Sequence, residues 1–174
     1  MAKDADSDFS TYAGARLGAL RRSAYLLCGD WHKAEDLAQT TLVKLYAAWP
    51  RVRRAESVDA YARATLVRAF LDDGRRRWRG ERPTGDLPDA PAPDPSDAWG
   101  DRLDLARALA RLPPRMRAVI VLRCWDDLSI AETARGLACS AGTVKSQTSR
   151  GLALLRQLLE LPTSTATQTE GDHR

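Results

Sequence analysis

The chain is poor in the residues that build disulfide, metal or histidine chemistry: its 174 residues include three cysteines and two histidines. Cys28, Cys124 and Cys139 are odd in number, far apart and outside any C-x-x-C or Cys/His ligand spacing, which argues against a disulfide framework and against a zinc site. His32 falls in a helical stretch and His173 in a polar tail, each without a nucleophile or an orienting partner nearby in sequence, so no catalytic residue is assigned. No apolar run approaches the roughly 20 residues needed to cross a bilayer. Residues 1–8 are acidic, where a secretory signal would open with basic residues and an apolar core. A phosphate-binding Walker loop is also missing. These absences lead to the expectation of a cytoplasmic, soluble, non-enzymatic protein with no membrane insertion, no metal and no cofactor.

What is present is charge, unevenly placed. Residues 1–82 carry 16 Lys+Arg against 11 Asp+Glu, residues 83–101 carry none against 5, and residues 102–161 carry 10 against 5. Two basic blocks flanking an acidic one point to a polyanionic partner, although arginine outnumbers lysine 23 to 4, as codon bias alone could produce. The acidic stretch contains Pro83, Pro88, Pro91, Pro93 and Pro95 and shows no apolar periodicity, so residues 83–100 read as a flexible linker. On both sides the apolar residues recur at helical spacing. The expected fold is all-α: a three-helix bundle in residues 1–82, a helix-turn-helix domain in residues 101–161, and a disordered polar tail in residues 162–174.

Helix one is expected over residues 8–27, stopping near Gly29, and a second helix capped by Asp30 is expected to reach Trp49 and end at Pro50. A third, capped by Ser57, should run to Trp78 with a break or fray at Gly74. Beyond the linker come a helix over residues 101–111 and another that opens on Pro113 and Pro114 and reaches Trp125. Ser129-Ile-Ala-Glu132 has the form of a capping box, and Ser140 caps a last helix that ends before Pro162. The short Ala138-Cys139 connection suits two helices crossing sharply. Val144, Leu152 and Leu155 fall toward the core, which leaves Lys145, Ser146, Ser149 and Arg150 on the opposite face. A recognition helix needs such a face in the major groove; a solvated surface helix would also tolerate it.

The runs Leu112-Pro-Pro-Arg-Met-Arg-Ala-Val-Ile-Val-Leu-Arg123, Asp127-Leu-Ser-Ile-Ala-Glu-Thr-Ala134 and Ser140-Ala-Gly-Thr-Val-Lys-Ser146 resemble region four of extracytoplasmic-function sigma factors. The resemblance implies a domain that reads the minus-thirty-five promoter element, with Ser140, Thr143, Lys145, Ser146, Gln147 and Arg150 at the matching DNA-binding positions. The chain departs from the family pattern at Ala138, where glycine is common, and at Gln147, where arginine is common. A positive φ at Ala138 would cost about 1 kcal/mol, and Gln147 could shift base preference toward adenine.

In the first block, Ala34, Leu37, Ala38, Leu42, Leu45 and Trp49 can form a core face, with Asp36, Gln39, Thr40 and Val43 on another side. Ala34-Glu-Asp-Leu-Ala-Gln39 resembles the region-two signature of the same family, and the resemblance implies that Asp36, Gln39 and Val43 contact the polymerase clamp. Arg51, Arg53 and Arg54 follow in a loop, then Tyr61, Arg63 and Arg68, then Arg75, Arg76, Arg77 and Trp78. Arginines interleaved with aromatics suit melted DNA, since guanidinium groups hold phosphates and aromatic faces stack on unpaired bases. Tyr61 could equally be core, and the arginine run a solvated helix end favoured by the dipole. Arg68 stands where the family usually has asparagine. The linker residues Asp86, Asp89, Asp94 and Asp97 could mimic phosphates inside the polymerase or serve solubility alone. The partners implied are core RNA polymerase, promoter DNA and an anti-sigma factor. The competing expectation is a free-standing helix-turn-helix regulator that binds duplex DNA without polymerase.

Overall fold

The computed structural model describes residues 2–80 and 100–160, and these are helical throughout apart from short connections. The elements are α1 (Ala2–Cys28), α2 (Trp31–Val52), α3 (Val58–Trp78), α4 (Gly100–Ala110), α5 (Pro114–Ile120) with a π-helical continuation Val121–Trp125, α6 (Ile130–Leu137) and α7 (Ala141–Glu160). The all-α expectation holds over the described residues. The linker residues between 81 and 99, among them Asp86, Asp89, Asp94 and Asp97, and the tail with His173 lie outside them.

Helices α1, α2 and α3 pack as a bundle because each presents an apolar stripe to the others. Leu20, Leu27, Leu45 and Leu66 are at most 1% exposed, and each contributes about 1.5–3 kcal/mol by leaving water. The expected N-caps form as read: the Asp30 side chain accepts from the Lys33 N–H at 3.1 Å, and the Ser57 hydroxyl accepts from the Ala60 N–H at 3.1 Å.

Two boundaries and one expected break differ from expectation. Helix α1 begins near the N-terminus, because its first turns are tied down by tertiary contacts that periodicity does not report. The Phe9 ring meets Tyr46 and Trp49 edge-on, at 5.0 and 5.2 Å, while Asp6 accepts from the Tyr46 hydroxyl at 2.8 Å and Asp8 pairs with Arg53 at 3.3 Å. Helix α2 passes through Pro50 and ends at Val52, where the Arg53 N–H still reaches the Trp49 carbonyl at 2.9 Å. A proline in the last turn removes one donor and leaves few residues beyond it to disturb. Helix α3 continues across Gly74, where the ion pairs Asp72–Arg75 and Asp73–Arg77 span the glycine along the helix surface.

The second group of helices is smaller. Pro114 occupies the first turn of α5, where its missing N–H is harmless. Helix α7 lies so close to α5 that a Cβ at Gly151 would stand 2.8 Å from Ile120 and 3.0 Å from Met116, so glycine permits this crossing. Ser129 and Glu132 complete both halves of the capping box: the Ser129 hydroxyl accepts from the Glu132 N–H at 3.1 Å, and Glu132 accepts from the Ser129 N–H at 2.7 Å. Those bonds to the charged form hold the Glu132 carboxyl below its usual range.

Ala138 ends α6 with φ +51° and ψ +49°, the left-handed conformation for which glycine is the usual residue. Its Cβ is strained there. Ala138→Gly is expected to raise stability by about 1 kcal/mol, seen as a higher urea midpoint at unchanged slope; a lower midpoint would contradict the strain.

The two groups of helices are packed together. Helix α4 lies along α1, and α6 lies on α3, so the second group covers one side of the first bundle.

Candidate nucleic-acid and polymerase surfaces

The start of α7 is shaped by Ser140, whose hydroxyl accepts from the Thr143 N–H at 3.0 Å and shares a hydrogen bond with the Thr143 hydroxyl at 2.9 Å. Val144, Gly151 and Leu155 are buried, which turns Lys145, Ser146, Ser149 and Arg150 to solvent along one exposed side. Gln147 is half-buried and sits at the edge of that side. The helix therefore offers two cations and several hydroxyls just beyond a capped N-terminus, the arrangement that a major-groove reader requires.

On α2 the buried set is Ala34, Leu37, Ala38, Thr41, Leu45, Trp49 and Val52, with Leu42 partly buried against it. Asp36, Gln39 and Val43 are exposed, Val43 to 69%, so an apolar side chain stands in an otherwise polar face. Asp36 and Gln39 line a groove between α2 and α3 that Arg117 borders from the second group of helices. Gln39 also donates to Glu35 at 3.4 Å.

The arginine-aromatic residues divide into three situations. Arg51 and Arg54 are exposed near the α2–α3 connection, and Arg53 is drawn toward α1 by Asp8. At the end of α3, Arg75, Arg76, Arg77 and Trp78 are all exposed, Trp78 to 92%. An indole so exposed contributes little to any core and leaves its face available for stacking. Arg75 and Arg77 are paired with Asp72 and Asp73 at 4.0 and 3.2 Å, partners that a phosphate would have to displace. In the middle of α3, Tyr61 is half-buried with the Arg68 guanidinium 6.0 Å from its ring centre, so its ring takes part in both core and surface.

Arg63 differs from the rest. It lies in the seam between the two groups of helices, 16% exposed, donating to the Ala19 carbonyl at 3.2 Å and the Ser23 hydroxyl at 2.9 Å, and pairing with Asp126 at 3.1 Å. The Asp126 side chain is 2% exposed; one oxygen also accepts from Ser23 at 2.7 Å, while Oδ2 is buried without a hydrogen-bond partner. Burial pushes the Asp126 carboxyl above its usual range, against the lowering pull of Arg63 and Ser23. Arg117 crosses the same seam and donates to the Leu27 carbonyl at 2.6 Å, the Ala110 carbonyl at 3.0 Å and the Leu112 carbonyl at 3.2 Å. Asp126 and Arg117 carry no signal in the sequence that marks them as interdomain residues, because their partners are 103 and 90 residues away. Among the described residues no group of three His, Cys, Asp or Glu could hold a metal ion, and no helix is long and apolar enough to cross a membrane.

The comparisons with known proteins cover both helical groups in the expected order. Residues 12–80 match the family model of Sigma-70 region 2, and residues 102–155 match that of Sigma-70, region 4. The RNA polymerase sigma-E factor of Streptomyces avermitilis is 42% identical over 153 residues, which span 88% of this chain and 86% of that protein. The ECF RNA polymerase sigma factor SigL of Mycobacterium tuberculosis is 35% identical over 149 residues, spanning 81% of this chain and 82% of SigL. Among solved structures, the sigma factor RpoE of Bartonella quintana, in complex with the anti-sigma factor NepR, is similar with a TM-score of 0.74 and 30% identity, covering 89% of this chain and 98% of RpoE. The chain belongs to the extracytoplasmic-function sigma factors of the sigma-70 family. As an RNA polymerase sigma factor, it directs promoter-specific transcription initiation. A free-standing helix-turn-helix regulator would not account for the region-two match.

Proposed function

We propose that residues 1–82 act as the polymerase-gripping and minus-ten domain, and that residues 101–161 act as the minus-thirty-five reader, with residues 83–100 as the linker and residues 162–174 as a tail outside both. Asp36, Gln39 and Val43 dock on the polymerase clamp. Arg51, Arg53, Arg54, Tyr61, Arg63, Arg68, Arg75, Arg76, Arg77 and Trp78 take the opened strand. Ser140, Thr143, Lys145, Ser146, Gln147 and Arg150 meet the duplex, Ser140 mainly by capping the helix that carries the others. The chain works by binding, in the cytoplasm, without chemistry of its own: strand opening is driven by capture of unpaired bases on arginines and aromatics.

The observation that carries this reading is the two-sidedness of α7, with Val144, Gly151 and Leu155 inward and Lys145, Ser146, Ser149 and Arg150 outward beyond a capped N-terminus. An anti-sigma factor is the further partner, a reading supported by the likeness to RpoE, which was solved with NepR.

The test is binding of the purified full chain to core RNA polymerase at low and raised salt. The parent chain is expected to form a salt-resistant one-to-one complex. Asp36→Ala with Gln39→Ala should weaken it about tenfold or more, as expected for losing interface anchors worth roughly 1–2 kcal/mol. Equal binding by parent and variant would remove Asp36 and Gln39 from the clamp contact.

A further inference from the structure

The end of α2 and the connection to α3 carry Arg51, Arg53 and Arg54, yet the connection has almost no core of its own. Arg54, Ala55 and Glu56 are exposed, and the turn is closed by a backbone bond from the Ala55 N–H to the Val52 carbonyl at 2.9 Å. Further order comes from outside, from the first turns of α1. On the α2 side, Asp6 accepts from the Tyr46 hydroxyl at 2.8 Å, the Phe9 ring meets Tyr46 and Trp49, and Asp8 pairs with Arg53 at 3.3 Å. On the α3 side, the Tyr12 hydroxyl donates to one oxygen of Asp59 at 2.8 Å, and Arg16 pairs with the other at 2.8 Å. The Tyr12 ring also lies 5.3 Å from that of Trp49. Tyr12 therefore touches the end of one helix and the start of the next.

We propose that Asp8, Tyr12 and Asp59 are positioning residues for minus-ten selectivity: they hold the α2–α3 connection in one shape and the Arg53 guanidinium in one direction, so that strand reading is set in part from α1. This role rests on the one proposed for Arg51, Arg53 and Arg54 at the opened strand.

The contacts differ in what they contribute. The Asp8 side chain is 63% exposed, and an ion pair so open to water holds little energy. What it fixes is direction: Asp8 engages Nη1 of Arg53, which leaves the other N–H groups of the guanidinium for a phosphate or a base. The Tyr12–Asp59 bond is partly buried and made to a carboxylate, so it is the stronger hold. Asp6, Asp8 and Phe9 lie ahead of residue 12, where the region-two match begins, so the general region-two pattern does not require them.

Holding the connection in advance has a physical use. A loose connection loses conformational freedom at each capture and bends to fit many bases; one already held loses less and accepts fewer.

The test uses the full chain reconstituted with core RNA polymerase. The probe is a fork-junction DNA whose single-stranded minus-ten segment is randomised, and the bound pool is sequenced. Asp8→Asn removes the charge and keeps the shape, Tyr12→Phe removes one hydroxyl, and Asp8→Glu keeps the carboxylate. Core affinity is measured beside the selection. The parent is expected to enrich particular bases. Asp8→Asn and Tyr12→Phe are each expected to reduce that enrichment by about two- to tenfold, the effect of one hydrogen bond's worth of ordering, at unchanged core affinity. Asp8→Glu is expected to retain most of it. Enrichment in Asp8→Asn and Tyr12→Phe equal to the parent's overturns the positioning role. Enrichment and core affinity falling together overturn it as well, because that pattern reports a loosened bundle. A parent that enriches no base places the failure in the strand-binding role of the arginines, and the positioning role falls with it.

Discussion

A chain carrying both Lys145→Ala and Arg150→Ala is expected to bind core RNA polymerase as the parent does and to lose most of its promoter selectivity. Both side chains are exposed on the outward side of α7, away from the buried Val144, Gly151 and Leu155, so neither substitution disturbs the packing that holds the helix. A cation that reaches a guanine edge in the major groove contributes roughly 1–3 kcal/mol of discrimination, or about five- to 150-fold per contact. If one of the two contacts a phosphate instead, its loss weakens binding to all sequences alike and reduces the salt slope by about one. Binding of the reconstituted holoenzyme to a cognate promoter and to a scrambled minus-thirty-five duplex, across a salt series, separates the two cases. Unaltered selectivity and unaltered salt slope in the double variant would remove both residues from the DNA contact.

Leu122→Ala is expected to cost about 2–5 kcal/mol, the range for truncating a fully buried leucine whose surroundings cannot collapse. Leu122 is 0% exposed in the π-helical continuation of α5, and its carbonyl accepts from the Leu128 N–H at 2.9 Å. That bond connects the end of the π segment to the approach to α6, and the Arg123 guanidinium also donates to the Leu128 carbonyl. The backbone at Leu122 and Arg123 is thus tied to Leu128, which limits relaxation into the cavity. Loss of this side chain should lower the urea midpoint and, because a small helical domain has little stability to spare, lower promoter-directed initiation at growth temperature. A midpoint within the error of the parent would show that the site collapses around alanine, and would contradict this account of the core.

The recognition side was the part most open to sequence reasoning. The spacing of Val144, Leu152 and Leu155 and the capping pattern at Ser129 and Ser140 are local, and local rules place side chains on one helix face or the other. The same holds for α2, where Ala34, Leu37, Ala38, Leu45 and Trp49 are buried as expected, Thr41 and Val52 join them, Leu42 is only partly buried, and Asp36, Gln39 and Val43 stay outside. Ala138 was marked out by the resemblance, which puts glycine at that position, and the structure gives it the left-handed conformation that glycine adopts freely. The early start of α1 was not, because Asp6, Asp8 and Phe9 are held by residues 37 or more positions away. Pro50 misled because its effect depends on how many turns follow it, and here there are too few to break.

The sequence by itself determined an all-helical chain of two basic blocks, its caps and turns, and the faces of α2 and α7, since each follows from periodicity and from hydrogen bonding within a few residues. Only the tertiary structure decided that α6 rests on α3, that Arg63 pairs with Asp126, and that Arg117 joins the ends of two helices. Those pairings depend on charge and shape brought together from positions 63 to 103 residues apart along the chain. Helical periodicity carries no information at that range.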